Sequence, residues 1–183
     1  MPAFGGRKLN LSRSLASYMA DISRATAFEL GYPERLGRLI ADLATLEICL
    51  RVVLYLLDTP RPNRRSSDWR LADLAVGDEI EDCWLTSWSS LSQLVAAYNE
   101  RETKAGLEPM DAGIPDLRNA LAHGCISTPQ PDGLQTLVKF GKATAGKVRV
   151  EVKHVMTFEW LAEQTRRTCD ATLIVNRRLQ ELR

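Results

Sequence analysis

Apolar positions recur along most of the chain at the three- and four-residue spacing of amphipathic helices. The pattern is longest over residues 34–58, where it holds for about seven turns and predicts a central helix. The same period predicts further helices over residues 9–30 and 84–103. A short helix is expected to begin at Pro115 and to end at Gly124.

The 34–58 helix becomes apolar on almost all sides from Ile48 to Leu57, which predicts burial by neighbouring helices or by a second subunit. Glu47 interrupts its apolar side. The carboxylate either pairs with Arg51 one turn later, which is the commoner arrangement, or it serves as a supporting acid near a functional site.

Aromatic residues mark the predicted 84–103 helix. Trp84, Trp88 and Tyr98 fall on one helical face together with aliphatic residues. An aromatic stripe at helical spacing is far more often core than a platform for stacked bases, so this face is predicted to be buried.

The apolar period changes from helical to alternating in two segments, residues 134–140 and 147–156. Because "GKATAG" supplies a turn between them, the sequence predicts a β-hairpin with one solvent-facing side. Thr157 is then expected to cap a last helix. The predicted fold is a single, mainly α domain over residues 1–183. It is a helical bundle with a β-hairpin, at about 134–156, inserted before the C-terminal helix.

The composition gives the chain no overall electrostatic attraction to nucleic acids or membranes. Its 183 residues carry 24 Lys and Arg against 23 Asp and Glu, a formal net charge of +1. A polyanion site must therefore be a local patch, and the densest basic stretch is residues 58–70. Arg61, Arg64 and Arg65 in this stretch are candidate substrate-binding residues for RNA phosphates, although such runs usually form solvated loops.

Several kinds of protein are disfavoured by the sequence. Its four cysteines include no C-x-x-C pair, so neither a zinc site nor a disulfide framework is suggested, and no cofactor is expected. The N-terminal residues lack the apolar segment of a signal peptide. The longest near-apolar run, "ICLRVVLYLL", contains an arginine and is too short to span a bilayer. We therefore expect a cytoplasmic protein without a membrane partner.

The segment "IPDLRNALAHGCIST", residues 114–128, holds the most informative polar residues. Arg118 precedes His123 by one and a half turns, and Asn119 follows the arginine directly. On an ideal helix Asn119 and His123 share a face, whereas Arg118 and His123 point about 140° apart. One interpretation is purely structural: the histidine suits the C-terminal end of the helix dipole, and Gly124 follows it as a left-handed cap.

The same residues also have the chemistry of metal-free RNA cleavage. A histidine can move a proton in either direction near neutral pH, and an arginine holds a phosphate through its planar guanidinium. A base removes the 2′-OH proton, that oxygen attacks the adjacent phosphorus, and the guanidinium stabilises the developing charge. A rival hypothesis uses Cys125 as a thiolate nucleophile, but Cys125 and His123 could pair only in an extended segment.

The motif "LRNALAHG", residues 117–124, resembles the signature of the HEPN superfamily of helical domains. That signature is an arginine, four to six further residues and a histidine, often with a polar residue directly after the arginine. The long apolar helix before the motif and the helix after it agree with a HEPN-like bundle over residues 9–181, to which the hairpin is an addition. One departure is Cys125, because HEPN toxins paired with nucleotidyltransferase antitoxins tend to have tyrosine there.

Many HEPN proteins are metal-independent endoribonucleases of toxin–antitoxin and anti-phage defence systems, and they act as homodimers. The resemblance therefore implies that Arg118 contacts the scissile phosphate, that His123 transfers protons and that Asn119 orients or contacts the RNA. It also implies products that end in a 2′,3′-cyclic phosphate, with a cognate antitoxin or regulatory protein as a candidate partner. The alternative is a non-catalytic HEPN-like module that binds nucleotides or proteins.

Overall fold

The computed structural model describes residues 31–59, 74–127 and 135–182. The described part of the chain is mainly helical and carries one small antiparallel sheet. Its elements follow in the order α1 (Tyr32–Asp58), α2 (Leu91–Lys104), α3 (Ile114–His123), β1 (Cys125–Ser127), β2 (Thr136–Phe140), β3 (Val150–Val155) and α4 (Phe158–Glu181). The helix predicted over residues 9–30 and nearly all of the basic stretch 58–70 lie outside the described residues.

The core lies between α1 and α4, which form the most extensive contact between elements. The apolar spacing of α1 turns its leucines toward α4, where they are fully buried. Leu46, Leu50 and Val53 are each 0% exposed. The outer side of α1 is less covered than its apolar sequence predicts, because Ile40 and Ile48 are 51% and 56% exposed.

The helix α4 follows the sequence expectation at its beginning. The Thr157 hydroxyl accepts a hydrogen bond from the Trp160 backbone N–H at 3.1 Å, which satisfies one of the free donors of the first turn. Inside the helix, the buried hydroxyls of Thr168 and Thr172 donate to carbonyls four residues earlier, each at 2.9 Å. No buried side-chain nitrogen or oxygen among the described residues lacks a hydrogen-bond partner.

The predicted 84–103 helix begins later than its aromatic pattern suggests. Ser90 and Gln93 form a capping box, so α2 starts at Leu91 and both tryptophans precede it. The prediction that Trp88 belongs to the core is wrong, because its side chain is fully exposed. Trp84 is partly buried against the core, and its Nε1 donates to Asp58 at 2.7 Å.

The predicted hairpin is part of a three-stranded sheet in the order β1-β2-β3. Its strands are shorter than the segments 134–140 and 147–156, and the additional strand β1 directly follows α3. Leu137 of β2 is fully buried, and Val152 of β3 packs against the same core. The strand β2 therefore packs on the helical core, whereas β1 and most of β3 are exposed.

No helix among the described residues is long and apolar enough to cross a membrane.

Candidate functional site

The segment directly before the short helix α3 is anchored to two other helices. The Asn99 side chain of α2 exchanges hydrogen bonds with the Met110 backbone, at 3.0 and 2.9 Å. Asp111 forms an ion pair with Arg167 of α4, with 2.5 Å between the nearest oxygen and nitrogen. Because these contacts tie the incoming chain to two other helices, the direction of α3 is fixed at its first residue, Ile114.

The sequence of α3 explains which of its sides is buried. Pro115 fits the first turn, where the backbone N–H has no helical partner. Ile114 and Ala120 are buried, and Leu117 and Leu121 pack against the core. This side of α3 packs on α2 and β2. The other residues of α3 therefore face outward or lie at the edge of the contact.

Gly124 connects α3 to β1, but not as the left-handed cap that was expected. Its φ of −83° and ψ of 167° are extended values open to any residue. Glycine is required for another reason: a Cβ here would clash with the Ala120 carbonyl oxygen and approach Leu137 Cδ1 to 2.9 Å. The end of α3 is therefore pressed directly against β2, which fixes the position of His123.

The structure brings two of the three motif residues to one side of α3. Asn119 and His123 are one turn apart, with Asn119 half-buried and His123 exposed. Arg118 is also half-buried, but α3 continues unbroken to His123, so the two residues point about 140° apart. Among the described residues, none forms a hydrogen bond or ion pair with the side chains of Arg118, Asn119 or His123.

His123 lies on the wall of an open concavity of about 1090 Å³ beside the turn of the β2–β3 hairpin. We call this concavity the hairpin groove. Among the described residues it is lined by His123, four cations, one carboxylate and an aromatic ring, together with smaller residues of the turn. The charged and aromatic residues of the lining are Lys139, Lys142, Lys147, Arg149, Glu151 and Phe140.

The described residues of the hairpin groove carry a local excess of positive charge. Lys139 is paired with Glu151 at 2.7 Å, so these two charges largely cancel. Lys142, Lys147 and Arg149 are exposed, and none has a carboxylate partner among the described residues. In the sequence, Lys142 belongs to the predicted turn, and Lys147 and Arg149 alternate with valines on the polar side of the second strand. Their position beside His123 depends on how α3 packs on β2, which the sequence does not show.

The remaining site candidates fall elsewhere. Glu47 pairs with Arg51 at 2.8 Å, as the commoner interpretation predicted. Arg51 also donates to the carbonyls of Ser87 and Ser89, at 2.7 and 2.8 Å, and so ties α1 to the segment before α2. Glu47 does not line the hairpin groove, and its role as a supporting acid stays a prediction.

The arginines Arg61, Arg64 and Arg65 lie outside the described residues. Their proposed contacts with phosphates therefore stay a prediction.

The four cysteines differ in burial: Cys49 is buried, Cys83 and Cys169 are partly buried, and Cys125 is exposed. Burial raises the pKa of Cys49 to about 11 and that of Cys169 to about 11, so both are protonated at neutral pH. Cys125 is exposed as the first residue of β1 and pairs with Val138 in the sheet. Within the described residues its thiol forms no hydrogen bond with His123, so the Cys–His pair of the rival hypothesis is not formed there.

No group of three or more His, Cys, Asp or Glu residues in the described ranges is arranged to hold a metal ion.

Comparison of the chain with protein-family models, curated proteins and solved structures gave no match.

Proposed function

We propose that the protein is a metal-independent endoribonuclease of HEPN type, with His123 as its proton-transfer group. The observation that carries the proposal is the location of His123. Its imidazole is exposed at the end of α3, on the wall of a groove that holds three unpaired cations among the described residues. A proton-transfer group beside a site for backbone phosphates is the minimum that cleavage at a 2′-OH requires.

The chemistry follows from these two components. The His123 imidazole accepts the proton of a ribose 2′-OH, and the oxygen attacks the adjacent phosphorus. The bond from phosphorus to the 5′-oxygen breaks, and that oxygen takes up a proton as it leaves. The products are a 2′,3′-cyclic phosphate and a free 5′-OH. Cationic side chains at the phosphate stabilise the charge that develops on its oxygens.

Arg118 supports the HEPN assignment by its place in the motif, and its orientation favours a dimeric site. Within one chain, an angle of about 140° on an unbroken helix separates it from His123. A homodimer removes this difficulty, because Arg118 of one copy can face a phosphate held beside the His123 of the other. The exposure of Ile40 and Ile48, at 51% and 56%, supplies apolar surface on α1 for such an interface.

The second candidate function is a non-catalytic HEPN-like module that binds nucleotides or proteins. It is favoured by the absence of Arg118 from the lining of the hairpin groove. A cognate antitoxin or regulatory protein is a candidate partner under either proposal. A toxin–antitoxin or anti-phage defence role remains the context that the motif suggests.

The test uses the two histidines of the chain as a matched pair. His123→Ala should lower the rate of RNA cleavage by about a hundredfold to ten-thousandfold, the usual cost of losing a general acid–base group. His154→Ala should leave the rate unchanged. His154 is exposed on β3, its ring stacks on Trp160 at 5.6 Å, and it does not line the hairpin groove.

Cleavage is measured on purified protein with a labelled single-stranded RNA, and products are resolved by their end groups. We expect 2′,3′-cyclic phosphate ends and the same rate in EDTA. Cleavage that survives His123→Ala, or that EDTA abolishes, would contradict the proposal. If the wild type cleaves nothing, the non-catalytic module becomes the better assignment.

A further inference from the structure

The unpaired cations of the hairpin groove are arranged on both sides of a tight turn. Lys142 leads into the turn, and Lys147 and Arg149 follow it. The carboxylate of the described lining, on Glu151, is already held by Lys139. Three positive charges without a carboxylate partner in the described ranges repel one another, so they are most stable when an anion lies between them.

The backbone of the hairpin holds these cations in a defined arrangement. Thr144 and Lys147 exchange both backbone hydrogen bonds, at 2.8 and 3.1 Å, and the Gly141 N–H donates to the Arg149 carbonyl at 2.9 Å. Ala145 and Gly146 both have positive φ, 51° and 74°, as the two central residues of a type I′ hairpin turn do. The groove is therefore built on a closed turn that needs little ordering when a ligand binds.

An exposed aromatic ring lies among the cations. Phe140 ends β2 with 48% of its surface exposed, and Val150 is its partner on β3. Val148, also in the lining, is 57% exposed. A large apolar ring between cations is unfavourable in water, but it suits a ligand that carries phosphates and flat bases together.

We propose that the hairpin groove binds the single-stranded segment of the RNA substrate, with Phe140 as a stacking platform for a base. Lys142, Lys147 and Arg149 contact the backbone phosphates on either side of that base. A single strand is the chemical class that fits, because the bases of a duplex are stacked on each other and cannot cover a protein ring. The identity of the strand as RNA rests on the proposed function, since the groove leads to His123.

The experiment measures binding separately from cleavage. The probe is a fluorescein-labelled, single-stranded 2′-O-methyl oligonucleotide of about 12 nucleotides, which lacks the nucleophilic hydroxyl and cannot be cut. The affinity of the triple variant Lys142→Ala/Lys147→Ala/Arg149→Ala is measured from low to high salt. Each lost phosphate contact should lower the slope of log affinity against log salt by roughly 0.7, so the slope should fall by up to about two.

A charge-matched control separates a local site from a change in net charge. Lys104→Ala/Arg166→Ala/Arg177→Ala removes the same number of cations from exposed positions on α2 and α4, none of which lines the groove. This control should keep the wild-type slope. Phe140→Ala should weaken binding by about five- to hundredfold at one salt concentration, the usual cost of losing one stacked base. Thermal unfolding of each variant shows whether it remains folded.

Three results would overturn the inference. The groove variant could bind as the wild type does, the control could lose as much of the slope as the groove variant, or Phe140→Ala could leave the affinity unchanged. Any of these could occur while the wild type still cleaves RNA through His123, so the inference would fail and the proposed function would survive. A wild type that binds the oligonucleotide through the groove but cleaves no RNA would instead defeat the proposed function alone.

Discussion

The helical interface formed by α1, α2 and α4 differs from the region around α3 and the hairpin in how charged groups are paired. Along the helical interface, charged groups at the edge of the core have partners at short distances. Asp42 is almost fully buried and pairs with Arg38 at 2.9 Å, while Glu102 of α2 pairs with Arg178 of α4 at 3.1 Å. In the hairpin groove, by contrast, three described cations have no carboxylate partner, and apolar side chains beside them are exposed.

The difference separates what stabilises the fold from what is available for binding. A buried carboxylate without a partner would cost several kcal/mol, so the helical interface holds its charges in pairs. Exposed cations carry no such penalty, and they can remain unpaired until a ligand supplies the opposite charge. Changes in the first region should therefore alter stability alone, whereas changes in the second should alter binding and catalysis.

The largest expected effect on stability is that of a truncation in the helical interface. Leu50 is fully buried, and Leu50→Ala should lower the free energy of unfolding by about 2–5 kcal/mol through lost burial and the cavity left behind. Leu173→Ala removes the same atoms from a side chain of α4 that is 47% exposed, and it should cost much less. Denaturant unfolding gives both values.

At a temperature where Leu50→Ala is folded, its oligonucleotide affinity should keep the salt dependence of the wild type. A changed slope of log affinity against log salt would show that the two regions are coupled. It would contradict the separation of stability from binding.

Gly124→Ala tests the contact between the end of α3 and β2, where the hairpin region joins the core. The added Cβ would clash with the Ala120 carbonyl oxygen and crowd Leu137, so we expect a loss of about 1–3 kcal/mol from overpacking. The variant should also displace His123 and reduce cleavage, unlike a change in the helical interface. Thermal unfolding and the cleavage rate are measured on the same preparation.

Gly37→Ala is the matched control for this substitution. Gly37 lies inside α1, and a Cβ there meets no atom within 4 Å, so alanine should stabilise the helix by about 0.5–1 kcal/mol. Equal effects of the two substitutions would mean that the contact of Gly124 with β2 is not a constraint.

The smallest effect should come from the ion pair that precedes α3. A hydrogen bond from Arg167, then one from the Gly113 N–H, lowers the pKa of Asp111 in the folded protein. Its stabilisation is therefore present above the unfolded pKa and is lost as the pH falls through the lower, folded pKa. Both side chains are partly exposed, so Asp111→Asn should cost only about 0–1 kcal/mol at neutral pH.

The measurement is the difference in unfolding free energy between wild type and Asp111→Asn from pH 7 down to pH 2. The difference should shrink toward the acid end. A difference that is independent of pH would assign the effect to lost packing rather than to the carboxylate charge.

The parts of the fold that the sequence predicted well are those where one periodicity runs over many residues. The central helix was predicted over 34–58 and spans Tyr32–Asp58, because its buried leucines repeat for several turns. The cap at Thr157 was also predicted correctly, since a hydroxyl at that place serves a local hydrogen bond. Such features depend on neighbours in the sequence and are visible without the tertiary structure.

The boundary of α2 was predicted wrongly because a local capping motif overrides the longer apolar and aromatic spacing. The aromatic spacing suggested a helix from residue 84, but Ser90 and Gln93 carry the S-x-x-Q signature of a capping box, which places the start at Leu91. With the helix starting there, Trp88 no longer shares a helical face with Tyr98, which was the ground for placing it in the core. The strand β1 is only three residues long, too short for an alternation to be visible.

The sequence shows the histidine of the candidate site but not the cations beside it, because their proximity depends on tertiary packing. The motif identified His123 from its own chemistry, but the cations of the hairpin groove lie 16 or more positions further along the chain. Their approach to His123 depends on the packing of α3 against β2, which no periodicity encodes. The sequence pattern points instead to Arg61, Arg64 and Arg65 for phosphate contacts, because basic residues are densest there along the chain.

The contact at Gly124 also has a mechanical consequence. Because no side chain cushions this position, the end of α3 lies against the backbone of β2, and Val138 O would be only 3.0 Å from an added Cβ. A stiff contact of this kind transmits displacement with little loss. A shift of β2 relative to the helical core should therefore also shift the backbone of His123, which directly precedes Gly124.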